Sequence, residues 1–315
     1  MSTIIYIGAV GRSGTTLLER TLATCGSYVA LGEVVHIWDR SVEANEQCGC
    51  GEPFAACPFW RAVGTYAFGG WDQVDLDLLA RDRRRVDRNR YIPLLMFPRL
   101  ARRSFRDARL RLLDILDRLY EAAAHVSASA GPDDADQHHR ILIDSSKHPS
   151  YMFLIRSMPS HNVRLVHAIR DPRGVAYSWS KLVSRPESET EMEQLSIART
   201  IARWTSHNLL FQLAPLVGVK RRRLPYGRFV TTPSEIGRVA DDLIAAIGDR
   251  PTAALAIDGT VVELGTDHTA SGNPTRFERG RLTLRADTEW KKSLPTRHRL
   301  IVGVLTTPLR QLYGR

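Results

Sequence analysis

Two rhythms of apolar and polar positions divide the chain. Short, nearly unbroken apolar runs occur at Ile4-Ile5-Tyr6-Ile7, Ile141-Leu142-Ile143 and Val163 to Ile169. Runs of that length, rich in Ile and Val, read as strands buried on both faces, as in a parallel sheet. Helical spacing follows them, from Leu17 to about Cys25, from Tyr151 to Met158 and onward from Val175. Longer helical patterns cover 99–124, 191–214 and 233–247. In the first of these, Leu110, Leu113, Leu116 or Asp117, and Tyr120 recur near helical spacing on an otherwise basic background. Val29-Ala30-Leu31 reads as a short extended piece leading into 32–39, where a second helix can begin. Lys220 to Arg223 reads as a basic turn, with a strand expected near Phe229, and 184–190 reads as a polar loop. The Ala/Ser/Gly/Pro/Asp-rich stretch 127–139 reads as an exposed loop, ending in a solvent-facing His138-His139 pair. Strands alternating with helices predict an α/β fold, a central parallel sheet flanked by helices, with a helical insertion or lid at about 60–125. No internal repeat is apparent.

The polar residues that matter gather just after the strands. Ile7 is followed by Gly8-Ala9-Val10-Gly11-Arg12-Ser13-Gly14-Thr15-Thr16 and then by the first helix. Strand, Gly-rich loop and helix N-terminus together hold phosphate, because loop N–H groups point inward and the helix end attracts an anion by roughly 0.3–2 kcal/mol. The spelling departs from the nucleoside-triphosphate loop G-x-x-x-x-G-K-S/T. With the last Gly set on Gly14, Thr15 stands where the Lys belongs and Ala9 where the first Gly belongs, and the cation comes earlier, at Arg12. Further clusters follow the other strands: Asp144-Ser145-Ser146-Lys147-His148-Pro149, and Arg170-Asp171-Pro172-Arg173-Gly174 running on to Tyr177 and Ser178. Ligands of open α/β sheets sit beyond the carboxyl ends of the strands. The clusters at 11–16, 145–149 and 170–178 are therefore expected to meet on one sheet edge.

Composition narrows the setting. The 315 residues are 43% apolar and 25% charged, ordinary globular values, with a formal charge of +10. The pI of about 9.8 suits an anionic ligand, nucleic acid or an acidic membrane surface. No apolar run is long enough to span a bilayer, and no basic segment precedes the first apolar residues, which the first strand needs. The cytoplasm is the expected compartment, with peripheral membrane contact left open through the basic helix. The 4 cysteines are Cys25, read as a core residue of the first helix, and the cluster Cys48, Cys50 and Cys57. Three readings stand for the cluster: buried or free thiols, a disulfide such as Cys50–Cys57, or a metal site, for which paired C-x-x-C spacing is missing. His36 could complete a ligand set, but nothing in the spacing requires it.

The order and spacing of the clusters resemble a known family. Gly11-Arg12-Ser13-Gly14-Thr15-Thr16-Leu17-Leu18, Asp144-Ser145-Ser146-Lys147, Leu165 to Ser178, Gly272-Asn273-Pro274-Thr275-Arg276-Phe277 and Glu289-Trp290 are similar to stretches of bacterial sulfotransferases that use 3'-phosphoadenosine 5'-phosphosulfate (PAPS). The resemblance spans most of the chain and implies a single domain over 1–315 with the P-loop NTPase-like sulfotransferase fold. It implies that Gly11, Arg12, Ser13, Gly14, Thr15 and Thr16 hold the donor's 5'-phosphosulfate, and that Arg170 and Ser178 grip its 3'-phosphate. Arg276 is the C-terminal candidate for the same phosphate, with Gly272 and Asn273 shaping its turn, although the Arg-Lys-Gly spelling of many soluble members is absent. His268 lies just upstream and reads as a surface residue.

Sulfuryl transfer requires an acceptor oxygen to lose its proton, the transferring group to be held, and the leaving phosphate to be stabilised. Arg12, the N–H groups around Gly14 and Lys147 are the electrostatic candidates, and no metal is expected in the chemistry. For the base, the resemblance offers Glu33 first, His148 second and His36 behind them. A hydroxyl of a small molecule, lipid or carbohydrate is the expected acceptor, with Trp60, Trp71, Tyr91, Met96 and Phe97 as pocket candidates. A kinase on a related fold is the alternative, and a nucleic-acid- or membrane-binding module is a further one that leaves the strand-end clusters unexplained. Oligomeric state is not written in the sequence.

Overall fold

The computed structural model describes residues 2–25, 27–129, 141–181, 184–185, 188–191, 194–245 and 255–313. The His138-His139 pair lies outside the described residues. The chain opens with strand β1 (Ser2–Gly8), helix α1 (Thr15–Ala23) and the short strand β2 (Tyr28–Ala30). Helices α2 (Pro58–Phe68), α3 (Leu76–Val86), α4 (Ile92–Met96) and α5 (Arg103–Ser129) follow before strand β3 (Ile141–Asp144), so this helical stretch is inserted between two adjacent strands. Next come α6 (Pro149–Ile155), β4 (His161–Ile169), α7 (Pro172–Ser180), a small antiparallel pair β5 (Ser184–Arg185) and β6 (Ser188–Glu191), α8 (Ile197–Gln212) and β7 (Arg221–Pro225). The chain continues through α9 (Tyr226–Thr231), α10 (Glu235–Ile244), the antiparallel strands β8 (Ile257–Asp258), β9 (Val261–Leu264) and β10 (Gly280–Thr283), α11 (Trp290–Ser293) and α12 (Thr296–Tyr313).

The central sheet has the order β2-β3-β1-β4-β7 and all its pairs are parallel. β1 lies in the middle, with Ile5 opposite Ile143 on one side and Arg164 on the other. Successive side chains of β1 feed opposite layers, as the period-2 geometry of a strand requires. Ile4 and Tyr6 join the core beneath the inserted helices, while Ile5 and Ile7 pack with Leu18, Leu22, Leu243 and Ile244 of α1 and α10. This is why the opening run is apolar without alternation.

The inserted helices have their own aromatic core. Trp60 is fully buried and stacks on Phe54, and Trp71 packs against Trp38, Phe54 and Phe68. Trp60 is thus a core residue and Trp71 a half-buried one packed against that core, while Phe97 lies 55% exposed. Leu113, Leu116 and Tyr120 of α5 are buried as their spacing predicts, but Leu110 is exposed. Some of the basic residues of α5 fasten the insertion: Arg111 forms a bidentate pair with Asp82 of α3, and Arg118 donates to the Ala67 carbonyl.

Three sequence expectations shift. The basic run expected to be a turn is strand β7, and Phe229 sits in helix α9. β7 is an edge strand with Leu224 its buried apolar side chain, so charge masks the pattern. The polar loop expected at 184–190 contains the β5–β6 pair. Among the described residues no helix is long and apolar enough to cross a membrane.

Candidate active site

The loop from β1 into α1 is a tight turn with the geometry that suits an anion. Gly14 has φ 76°, and a Cβ there would lie 2.5 Å from the Tyr226 ring, so both backbone and space demand glycine. Gly14 offers no side chain to cap α1, and the first turn of α1 carries no acidic residue. Its leading N–H groups and positive helix end therefore serve the loop. Arg12 also has a left-handed backbone, φ 69°, a conformation that costs a non-glycine residue about 1–3 kcal/mol and concentrates at functional sites. Its guanidinium lies over the Trp179 indole at 5.5 Å, and Trp179 Nε1 donates to the Gly11 carbonyl at 3.2 Å. Ser13, Thr15 and Thr16 are buried around this turn.

The second cation stands across the crevice between β1 and β4, where the connections leave in opposite directions and ligands of such sheets bind. Arg170 Nη1 donates to the Arg12 carbonyl, Nη2 pairs with the Asp287 carboxylate, and the guanidinium lies over Tyr226 at 5.0 Å. Asp171 is used differently. It caps α7 by accepting from the Arg173 N–H at 2.9 Å and pairs with the Arg173 guanidinium at 2.6 Å. Ser178 sits half-buried on the second turn of α7.

The third cluster joins two candidates for proton transfer to a cation. Lys147 Nζ lies 2.5 Å from Glu33 Oε1, both side chains being largely buried. Burial alone would raise the Glu33 carboxyl, but the Lys147 charge, reinforced by His36, outweighs it and holds the group down to about 2. His36 Nε2 lies 3.9 Å from the other Glu33 oxygen, and its ring meets His148 edge-on at 5.4 Å. His148 is pushed down to about 3, chiefly by burial and then by its cationic neighbours, so its imidazole is neutral at ordinary pH. Lys147 has φ 67°, a second non-glycine residue held left-handed at this edge.

Sequence reasoning missed the residues that hold this cluster in place. Glu19 of α1 is fully buried; Oε1 accepts from the Gly32 N–H at 2.7 Å and Oε2 from the Ser145 hydroxyl at 2.6 Å. Burial pushes its carboxyl up to about 8. Asp144 accepts from Ser146 and Tyr120, and Ser146 Oγ accepts from the Val35 N–H at 2.9 Å. Glu33 is thus flanked by Gly32 and Val35, both tied to the loop that carries Lys147. An acidic residue inside a helical pattern reads as solvated, so only the long-range contacts reveal Glu19.

Two C-terminal segments reach the site, in different places. Ala270 accepts from the Glu33 N–H and donates to the Leu31 carbonyl, both at 2.8 Å. A Cβ on Gly272 would lie 3.5 Å from Glu33 Oε1 and 3.7 Å from Thr16 Oγ1. The 270–272 stretch therefore lies against the Glu33 side of the crevice. Arg276, expected beside Arg170, is instead fully buried and donates to the carbonyls of Gly272 and Gln47 at 2.9 and 3.1 Å. Asn273 shapes the turn by accepting from the Thr275 N–H. The segment that meets Arg170 is 287–290: Asp287 pairs with it, Glu289 accepts from Tyr177 at 2.6 Å and pairs with Lys181, and Trp290 lies under Arg173. All 4 cysteines are free of disulfides, which removes the Cys50–Cys57 bridge.

No protein-family model matches the chain, and no curated protein matches it. Among solved structures, the sulfotransferase domain from the curacin biosynthetic pathway superposes with a TM-score of 0.50 over 98% of each chain, at 14% identity. This chain has the sulfotransferase fold. The sulfotransferase domain of the Synechococcus PCC 7002 olefin synthase aligns with a TM-score of 0.47, at 17% identity, over 98% of this chain and 94% of its own. A likeness at such identity concerns the sulfotransferase fold alone. What the site does rests on its own residues.

Proposed function

We propose that the chain is a sulfotransferase that moves a sulfuryl group from PAPS to a hydroxyl of a small molecule, lipid or carbohydrate, releasing adenosine 3',5'-bisphosphate. One observation carries the reading: two arginines, Arg12 and Arg170, stand on the same sheet edge and are joined by the Arg170–Arg12 carbonyl bond, a placement that suits two separate anions. A donor phosphorylated at both ends of its ribose carries two such anions. A nucleoside triphosphate needs the loop lysine, and Thr15 stands in its place.

In this reading Gly11, Arg12, Ser13, Gly14, Thr15 and Thr16 hold the 5'-phosphosulfate, and Arg170 with Ser178 holds the 3'-phosphate. The acceptor oxygen attacks sulfur, a new O–S bond forms, and the bond from sulfur to the bridging oxygen breaks with its electron pair left on the phosphate. Lys147 and the N-terminus of α1 offset the charge that builds there. Glu33 takes the acceptor's proton. A carboxylate locked against Lys147 is a poor base, since an effective one has a pKa near the working pH. Once Lys147 turns to the donor's charge, the main restraint on Glu33 is lifted and burial raises its affinity for a proton. His148 is second in line, because accepting a proton would place a new charge where burial already disfavours it.

Titration calorimetry tests the donor. Adenosine 3',5'-bisphosphate is expected to bind in the micromolar range, and magnesium-ATP much more weakly. Binding of magnesium-ATP with none of the bisphosphate overturns the reading in favour of a kinase. Comparison of sulfated metabolites with and without the protein would then give the acceptor.

A further inference from the structure

The cysteine cluster that the transfer chemistry leaves unused meets a histidine more than two hundred residues downstream. Cys48, Cys50, Cys57 and His268 bring their ligand atoms within 4.8 Å of one another. Cys57 Sγ lies 3.2 Å and Cys48 Sγ 4.0 Å from His268 Nδ1. A tetrahedral zinc with Zn–S bonds of about 2.3 Å holds its sulfurs about 3.8 Å apart, so the four atoms are close to zinc spacing already. We propose that Cys48, Cys50, Cys57 and His268 form a structural zinc site that staples the 48–57 loop to the 267–272 segment beside Glu33.

The surroundings suit a metal centre in each respect. Cys57 is the N-cap of the eleven-residue helix α2, where the helix end favours a thiolate. The His268 ring stacks on Phe59 at 5.2 Å and 15°, and its carbonyl accepts from Trp60 Nε1 at 2.7 Å, which fixes where Nδ1 points. Gly49 lets the loop approach: its N–H donates to the Thr269 carbonyl at 3.0 Å, and a Cβ there would meet Thr269 Oγ1 at 2.4 Å. Three thiolates and Zn²⁺ sum to one negative charge, and Arg279 stands close by, donating to the Cys50 carbonyl at 2.8 Å.

Four protein ligands close the coordination sphere, which makes the site structural and leaves no open position for chemistry. Its output is positional. His268 is two residues from Ala270, whose backbone bonds hold Leu31 and Glu33. The C-x-C spacing and the distant histidine explain why no sequence pattern announces it. The proposed transfer step is written without this site, so the inference stands apart from the donor assignment.

Metal analysis of the full chain, purified without a metal-affinity resin, tests it. About one zinc per chain is expected, falling to about a tenth or less in Cys57→Ser and His268→Ala and unchanged in Cys25→Ser. Should those variants fail to fold, the wild-type protein exchanged into cobalt must show thiolate-to-cobalt charge transfer and tetrahedral ligand-field bands. Absence of those bands overturns the proposal. So does a native, zinc-supplemented protein that stays metal-free while Cys48, Cys50 and Cys57 all react with a thiol reagent, or a Cys50–Cys57 disulfide found in its place. Calorimetry with the bisphosphate reads the other proposal separately: zinc without nucleotide binding sinks only the sulfotransferase, and nucleotide binding without zinc sinks only the staple.

Discussion

The two sides of the crevice are built by different means. On the Arg12 side, strand, loop and helix are contiguous, and the cradle is made of backbone: a left-handed Arg12, a left-handed Gly14 and the first N–H groups of α1. On the Glu33 side the parts arrive from 19, 33, 145–147 and 270–272, and side-chain hydrogen bonds and ion pairs hold them. A backbone cradle of this kind suits an anion and carries no group that titrates near neutral pH. A side-chain assembly can tune the proton affinity of its members, as a base requires, and is correspondingly easier to break.

The largest effect is expected at Glu33. Glu33→Gln keeps the shape but abolishes the proton acceptor, and turnover should fall about 10²–10⁴-fold. Binding of the bisphosphate, measured by calorimetry, should stay within a few-fold, because the cradle lies on the other side. Full activity in Glu33→Gln would transfer the role to His148, and His148→Ala would be the next variant. Equal losses of turnover and donor affinity would erase the division between the two sides.

Glu19 tests how the assembly is held. Burial lifts its pKa in the folded chain to about 8, above the ordinary carboxyl value of 4.5. The native state therefore keeps a proton that the unfolded chain releases. Its contribution is fully present below pH 4.5 and is lost progressively as pH rises towards 8. Glutamine mimics the protonated acid, accepting from Gly32 and donating to Ser145, and does not titrate. Denaturant unfolding at a series of pH values should show Glu19→Gln gaining on the wild type across that window, by on the order of a few kcal/mol. A constant difference between the two proteins from acid to neutral pH would contradict the raised pKa.

These contrasts follow what was legible in the sequence. The three strand-end clusters fall after β1, β3 and β4 as their apolar runs predict, because a strand buried on both faces cannot hide its pattern. The partners of those clusters were not legible. Glu19 has the spelling of a surface residue, His268 that of an exposed loop, and Arg276 that of an open cation, yet each is defined by a neighbour far along the chain. β7 fails for the opposite reason, since arginines on an edge strand erase the alternation that marks a sheet. The inserted aromatics misled as well: Trp60 and Trp71 have the composition of a pocket and the packing of a core.

The smallest effects concern Arg170, a side chain that donates to the backbone of the Arg12 loop. Arg170→Ala removes a charge-assisted contact worth about 1.5–3 kcal/mol, so bisphosphate affinity should drop roughly 10- to 100-fold. Asp287 should act in the other direction. Its carboxylate already occupies one side of the guanidinium, and a phosphate seeking Arg170 must displace or share it. Asp287→Asn leaves a weaker, neutral competitor and lifts the like-charge repulsion, so affinity for the bisphosphate should rise a few-fold. The gain should shrink as salt is added, because the repulsion is screened. Glu289 meets α7 through Tyr177 and Lys181, not Arg170, so Glu289→Gln serves as the control and should leave affinity unchanged. If Asp287→Asn weakens binding while Glu289→Gln does not, the carboxylate is holding Arg170 in place for the phosphate. The 287–290 segment would then position Arg170 through a side chain, as the 270–272 segment positions Glu33 through its backbone.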